Sequence, residues 1–273
     1  MADKKGDALS VREKAQQMRL EQDKADKRTR TIIIALVVVV VIAVVAAVGI
    51  VIWQQVAKQR AVANADPAAV LGDYASGAPI VVSHLGVGQK DESLPTLTEY
   101  FDYSCHACAD IDVLAGSELS RDVADGKYNI EYQPVTTVDM GYMHPATTAS
   151  LVVAQKDPEH WEAFHHSLLS YFSTQYNAGK GQVIQNREAS WKQVKVLAKE
   201  VGVPDKVIES IPQNVTTDYL EASTTAWRNA AIENRGDKLG TPEFVKDHST
   251  RIDLSGADAQ TLVSIIRAGI GVE

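Results

Sequence analysis

An uncharged run of 23 residues, Thr31 to Trp53, divides this chain into parts that cannot share one solvent. As a helix rising about 1.5 Å per residue it spans roughly 35 Å, enough for a hydrocarbon core about 30 Å thick. Trp53 stands where an interfacial aromatic anchor belongs. Lys24, Lys27, Arg28 and Arg30 crowd the N-terminal flank, and only Lys58 and Arg60 follow closely. The positive-inside rule therefore puts residues 1–30 in the cytoplasm and the remainder outside. Ala61-Val62-Ala63 resembles a small-residue cleavage site, but a signal h-region is about 7–15 residues, much shorter than this run. The run reads as an uncleaved, single-pass anchor. No cysteine follows it closely, which excludes lipoprotein anchoring.

Charge agrees with that division. The 273-residue chain carries a net charge of −8; residues 1–30 hold nine Lys/Arg against six Asp/Glu, or +3, which leaves −11 on the rest. An acidic exported body argues against nucleic-acid binding, which needs a basic face to neutralise phosphates. Residues 1–30 read as a charged, solvated tail. Residues 54–78 read as an Ala/Gln-rich linker ending at Ser76-Gly77-Ala78-Pro79.

From residue 79 the pattern is α/β. Ile80-Val81-Val82 and Thr96–Phe101 are expected strands, residues 105–124 a helix with Ile111, Leu114, Leu119 and Val123 on its apolar face, and 128–132 a strand closed by Pro134. This is a strand–helix–strand unit suited to a right-handed crossover and a parallel pair. From about His144 to Glu233 the periodicity is helical, with Trp161, Phe164, Leu168 and Phe172 on one helix and Val194, Leu197, Ala198 and Val201 on another. Strands at 243–246 and 251–254 and a helix at 257–268 complete the chain. Gly86-Val87-Gly88 reads as a turn. His165-His166 reads as a helical pair with one ring at the surface, and Trp191 and Trp227 as core.

The chemistry concentrates at Cys105 and Cys108, the only cysteines. A bridge between them closes a loop too small to give much chain-entropy stabilisation, so its purpose is chemical. Cys105 falls at a strand-to-helix junction, where free N–H groups and the positive end of the helix dipole stabilise a thiolate. His106, when protonated, would add positive charge. Cys108 lies one turn further in, shielded, as the resolving partner. Haem attachment would need His directly after the second cysteine, where Ala109 stands. A thiol metal site would have to recruit from His84, His144, His160, His165, His166 or His248, whose spacing completes no finger except His160 with His165 or His166. Glu99, six residues before Cys105, could lie beneath the pair and shuttle the Cys108 proton; the other reading is a solvent-facing edge. Gly240-Thr241-Pro242 precedes a strand, where a cis bond would expose a backbone edge to an extended substrate.

The segment from about 79 to 273, roughly 195 residues, resembles the DsbA family of thiol–disulfide oxidoreductases. The likeness rests on Cys105-His106-Ala107-Cys108, on Glu99, on the long helical insertion and on Gly240-Thr241-Pro242. It implies a thioredoxin-like fold with an inserted helical subdomain. It implies Cys105 as the nucleophilic or attacked cysteine, Cys108 as the resolving one, Glu99 as a buried acid, Pro242 as a cis-proline and Thr241 as a residue that binds substrate and tunes the redox balance. No dissociable cofactor is needed. The implied partners are exported proteins with cysteines and a membrane redox partner for recycling, and the anchor resembles single-pass members from Gram-positive bacteria. The chain departs from the strongly oxidising members in His106-Ala107, where they have Pro then His, and in Glu243 after the proline. A reductase or isomerase, or a tethered chaperone or metal-binding module using the thiols as ligands, are the alternatives.

Overall fold

The computed structural model describes residues 65–236, 238–255, 258 and 261–272, the stretch 36–54, and single positions Lys14, Gln16, Met18, Arg19, Lys24, Lys27, Arg30 and Ile33. Arg28, Lys58, Arg60, Ala61-Val62-Ala63 and most of the 1–30 tail lie outside the described residues. The chain forms two units, Met1–Arg60 and Ala61–Glu273. In the first, Leu36–Gln54 is a helix (α1) long and apolar enough to cross a membrane.

The second unit opens inside the stretch expected as linker. Asp66 caps a short helix, α2 (Pro67–Leu71), by accepting the Ala68 N–H, and Leu71 is buried in the core. The apolar residue that ends this turn gives residues 67–71 a place in the fold, which composition alone does not reveal.

Six strands make one sheet: β1 (Ile80–Ser83), β2 (Gly86–Val87), β3 (Thr96–Phe101), β4 (Asn129–Pro134), β5 (Glu243–Lys246) and β6 (Thr250–Ile252), in the order β2-β1-β4-β3-β5-β6. The β3–β4 pair is parallel, with Glu99 opposite Tyr132, as the strand–helix–strand reading requires. β5 runs antiparallel to β3 with Phe244 opposite Glu99. The two-residue β2, which the sequence reading took for a turn, folds back on β1. Gly86 and Gly88, both at positive φ, allow that reversal.

Every residue of β3 and β4 is buried, because both faces of the sheet are covered. Side chains alternate along β3, so Leu97, Glu99 and Phe101 point one way and Thr98 and Tyr100 the other. Leu97 and Phe101 join the main core with Tyr132, Trp161, Phe164, Leu168 and Phe172. Tyr100 stacks on Trp227 in a smaller cluster with Val135, Ile232 and Val245.

The helix expected over 105–124 is realised in three parts: α3 (His106–Ile111), a π turn (Asp112–Gly116) and α4 (Ser117–Ala124). Between β4 and β5 lie α5 (Met143–Lys156), α6 (Trp161–Asn177), α7 (Gln182–Gln185), α8 (Arg187–Glu200), α9 (Asp205–Glu209) and α10 (Thr217–Asn229). The last helix, α11 (Leu262–Ile270), is tied to α4 by Arg267, which donates to both carboxylate oxygens of buried Asp122 at 2.6 and 2.9 Å.

Candidate active site

β3 delivers the chain to the site. After Phe101 the backbone turns through Asp102–Ser104, and the Cys105 N–H donates to the Asp102 carbonyl at 2.9 Å. Cys105 is then the extended N-cap residue of α3. Its side chain is 8% exposed, while Cys108 is 0% exposed. Both are free thiols.

The two thiols have opposite acidities. The Cys105 pKa is lowered to about 6, first by the hydrogen bond from Cys108 and then, against burial, by the Thr241 hydroxyl and the N–H groups of Cys108 and Ala107. Those N–H groups are the unsatisfied donors of the first turn of α3. Burial pushes the Cys108 thiol well above the ordinary range, and a Cys105 thiolate holds its proton in place. Thr241 faces this pair from the far side of the molecule's sequence. Its carbonyl oxygen lies 3.4 Å from Cys105 Sγ, and the Thr241–Pro242 bond is cis. The Thr241 hydroxyl is 2.7 Å from that of Thr137.

Glu99 lies in the interior, 5% exposed, on the sheet face of Phe101 and not on an edge. Burial, then the charges of Asp112 and Cys105, push its pKa up to about 8. His106 packs on the end of α6. Its Nε2 lies 2.9 Å from Asn177 Oδ1 and 2.8 Å from Asp110 Oδ2, and its ring stacks on Tyr176 at 4.4 Å. The groups that hold the thiolate are thus Cys108, backbone amides and Thr241, whereas His106 docks α3 against the end of α6.

Asp102 is a site residue that sequence reasoning missed. One carboxylate oxygen accepts the Ser104 N–H at 2.7 Å; the other accepts the Thr137 and Val138 N–H groups at 2.8 and 2.7 Å. It thereby clamps the turn before Cys105 to the loop after β4. Burial, opposed by those N–H donors, leaves its pKa raised to about 6. The available signal was Asp two residues before Ser104 at the end of a strand, an Asx-turn pattern.

Glu243, the charge after the proline, is buried and fully engaged. Arg235 donates to it at 2.5 and 3.0 Å and the Trp227 indole N–H at 2.7 Å. Among the described residues, one group of three side chains could hold a metal, Asp112 with His165 and His166, and neither cysteine belongs to it.

A family model described as thioredoxin matches residues 84–234, more than half of the chain. The chain belongs to the thioredoxin family. Solved structures share the fold. The MdbA protein of Actinomyces oris, a thiol-disulfide oxidoreductase, superposes with a TM-score of 0.54 at 23% identity, over 65% of this chain and 80% of that one. The MdbA protein of Corynebacterium diphtheriae, also a thiol-disulfide oxidoreductase, gives 0.50 at 17% identity, over 69% and 92%. No curated protein matches the chain by sequence. Within this thioredoxin fold, the helical segment α5–α10 is the insertion, and it stands between the parallel pair β3–β4 and β5.

Proposed function

We propose that this protein is a membrane-anchored thiol–disulfide oxidoreductase that oxidises cysteine pairs in exported proteins. The observation that carries the reading is the free Cys105–Cys108 pair at the start of α3, Cys105 at the N-cap and Cys108 buried behind it, with the cis Thr241–Pro242 bond against Cys105. A substrate thiolate attacks Cys105 Sγ of the oxidised pair. The Cys105–Cys108 bond breaks, and Cys108 leaves with the electron pair and takes a proton. In this reading the proton comes from Glu99, which is buried and whose pKa burial pushes up to about 8. A second substrate thiolate attacks the substrate sulfur of the mixed disulfide, and Cys105 departs as a stable thiolate. Two electrons pass from the substrate dithiol to the protein, and a membrane redox partner would take them up. No dissociable cofactor enters this sequence.

Stability of the Cys105 thiolate favours the reduced protein, so the pair is a good oxidant. At pH 7 the fall of its pKa from 9.0 to about 6 favours the reduced form by about 1.4 kcal/mol, or about 30 mV. The helix Leu36–Gln54 and the positive flank before it support an anchor with the thiol domain outside the cytoplasm. The test is equilibration of the full chain, in detergent, against glutathione buffers, with Cys105 and Cys108 followed by alkylation. A potential well above the glutathione couple is expected. A potential well below it would overturn the oxidising direction and make the protein a reductase. Unchanged function in a Cys105→Ser variant would overturn the thiol chemistry altogether.

A further inference from the structure

We propose that Asp112, His165 and His166 form a site for one divalent transition-metal ion of the zinc class, which pins the inserted helix α6 to the segment carrying the cysteines. Asp112 opens the π turn that follows α3, and the two histidines are successive residues of α6. Asp112 Oδ1 lies 2.6 Å from His166 Nδ1 and 4.0 Å from His165 Nε2, and the three ligand atoms lie within 4.8 Å of one another.

Three further observations point to an ion here. First, His165 is 1% exposed and its Nε2 has no hydrogen-bond partner. An unmet buried polar atom costs about 1–3 kcal/mol, and this one faces the carboxylate. Second, the opposite nitrogen of each ring is already held. His165 Nδ1 is 2.8 Å from the Tyr103 hydroxyl, and His166 Nε2 is 3.0 Å from Ser120 Oγ. Metal-ligating histidines are oriented this way, by a partner on the nitrogen that does not bind. Third, the cradle depends on a missing side chain. A Cβ at Gly116 would stand 2.7 Å from Asp112 Oδ1 and 2.9 Å from the His166 ring.

The spacing suits a small ion. Zinc bonds of about 2.0–2.1 Å put tetrahedral ligands about 3.4 Å apart. The observed 2.6 and 4.0 Å to Asp112 lie either side of that value, and the two histidine nitrogens lie within 4.8 Å of each other, so the ion would spread Asp112 from His166 and draw His165 in by about 1 Å. Two imidazoles with one carboxylate select zinc or its neighbours over calcium and magnesium. The ion would replace the proton shared by Asp112 and His166. That proton leaves to solvent on the His166 side, which is partly exposed, and water completes the coordination there. The proposal does not rest on the thiol chemistry.

The test uses the full chain in detergent with Cys105→Ser and Cys108→Ser, so that sulfur cannot bind metal. After dialysis against zinc and then metal-free buffer, one zinc per chain is expected by atomic absorption. Asp112→Asn and His166→Gln should each weaken zinc binding by at least about 100-fold, and Ser120→Ala by about 10-fold, with unchanged far-UV dichroism. Ser120→Ala keeps the test decisive if a ligand variant fails to fold, since it removes only the support behind His166. Cobalt in place of zinc should show d–d bands without sulfur charge transfer. Zinc absent from the cysteine-free chain, or retained equally by the Asp112, His166 and Ser120 variants, would overturn the proposal.

Discussion

Cys105 is acidic because of what its own backbone turn supplies. The first amides of α3 point at the sulfur, Cys108 lends its S–H, and the Thr241 hydroxyl reaches across from the strand entry before β5. Removing one donor should be measurable. In Thr241→Val the loss of a hydrogen bond to a charged atom should raise the Cys105 pKa by about one, and make the pair about 20 mV less oxidising at pH 7. The pH dependence of iodoacetamide alkylation reads the first quantity and a glutathione titration the second. Glu99 makes a prediction of opposite sign. Its folded pKa of about 8 lies above the unfolded value near 4.5, so the fold binds a proton that the unfolded chain releases. Its contribution is intact below about pH 4.5 and is lost as pH rises through 8. Glu99→Gln abolishes that slope, and should be more stable than the parent chain by about 3 kcal/mol at pH 7, with the advantage vanishing near pH 4. Denaturant titrations across pH give the comparison, and equal slopes in the two proteins would refute it.

At the scale of elements, β3 and α3 were readable because each carries its own signal. A β-branched and aromatic run makes the strand, and apolar residues at helical spacing make the helix. The π turn was not readable, since Asp112–Gly116 has no local reason to widen its turn. What meets it there is α6: His166 binds Asp112, and Gly116 leaves the space. Likewise Glu243 looks misplaced in a buried strand until Arg235, on the irregular segment before β5, is seen to fork onto it. Arg235→Ala leaves that buried carboxylate with only the Trp227 N–H and Arg251 at 3.9 Å, and should cost about 3 kcal/mol. The paired replacement Arg235→Met with Glu243→Leu should recover most of it, because a buried ion pair repays little beyond its own desolvation. Melting temperatures of the single and double variants decide this; a double variant no more stable than Arg235→Ala would contradict it.

For the whole molecule, redox state and stability are linked through Cys105. The reduced fold gains stability above the unfolded thiol pKa, near 9, and loses that gain as pH falls through about 6; the disulfide form has no such group. The stability difference between reduced and oxidised protein should therefore shift by about 4 kcal/mol in favour of the reduced form between pH 5 and 9. Unfolding curves of both forms at the two pH values test it, and a shift that persists in Cys105→Ser would assign it elsewhere. The apolar span, the β3–helix–β4 unit, the long helical stretch before β5 and the position of Cys105 and Cys108 at a strand-to-helix junction were legible along the chain. Those properties reside in residues adjacent or periodic along the chain, so local pattern carries them. Three-dimensional packing alone shows that Glu99 is interior, that Asp102 clamps the turn before Cys105, that His106 packs on α6, and that Asp112 meets His165 and His166. Each depends on which segments far apart in sequence pack together, and no local spacing encodes that contact.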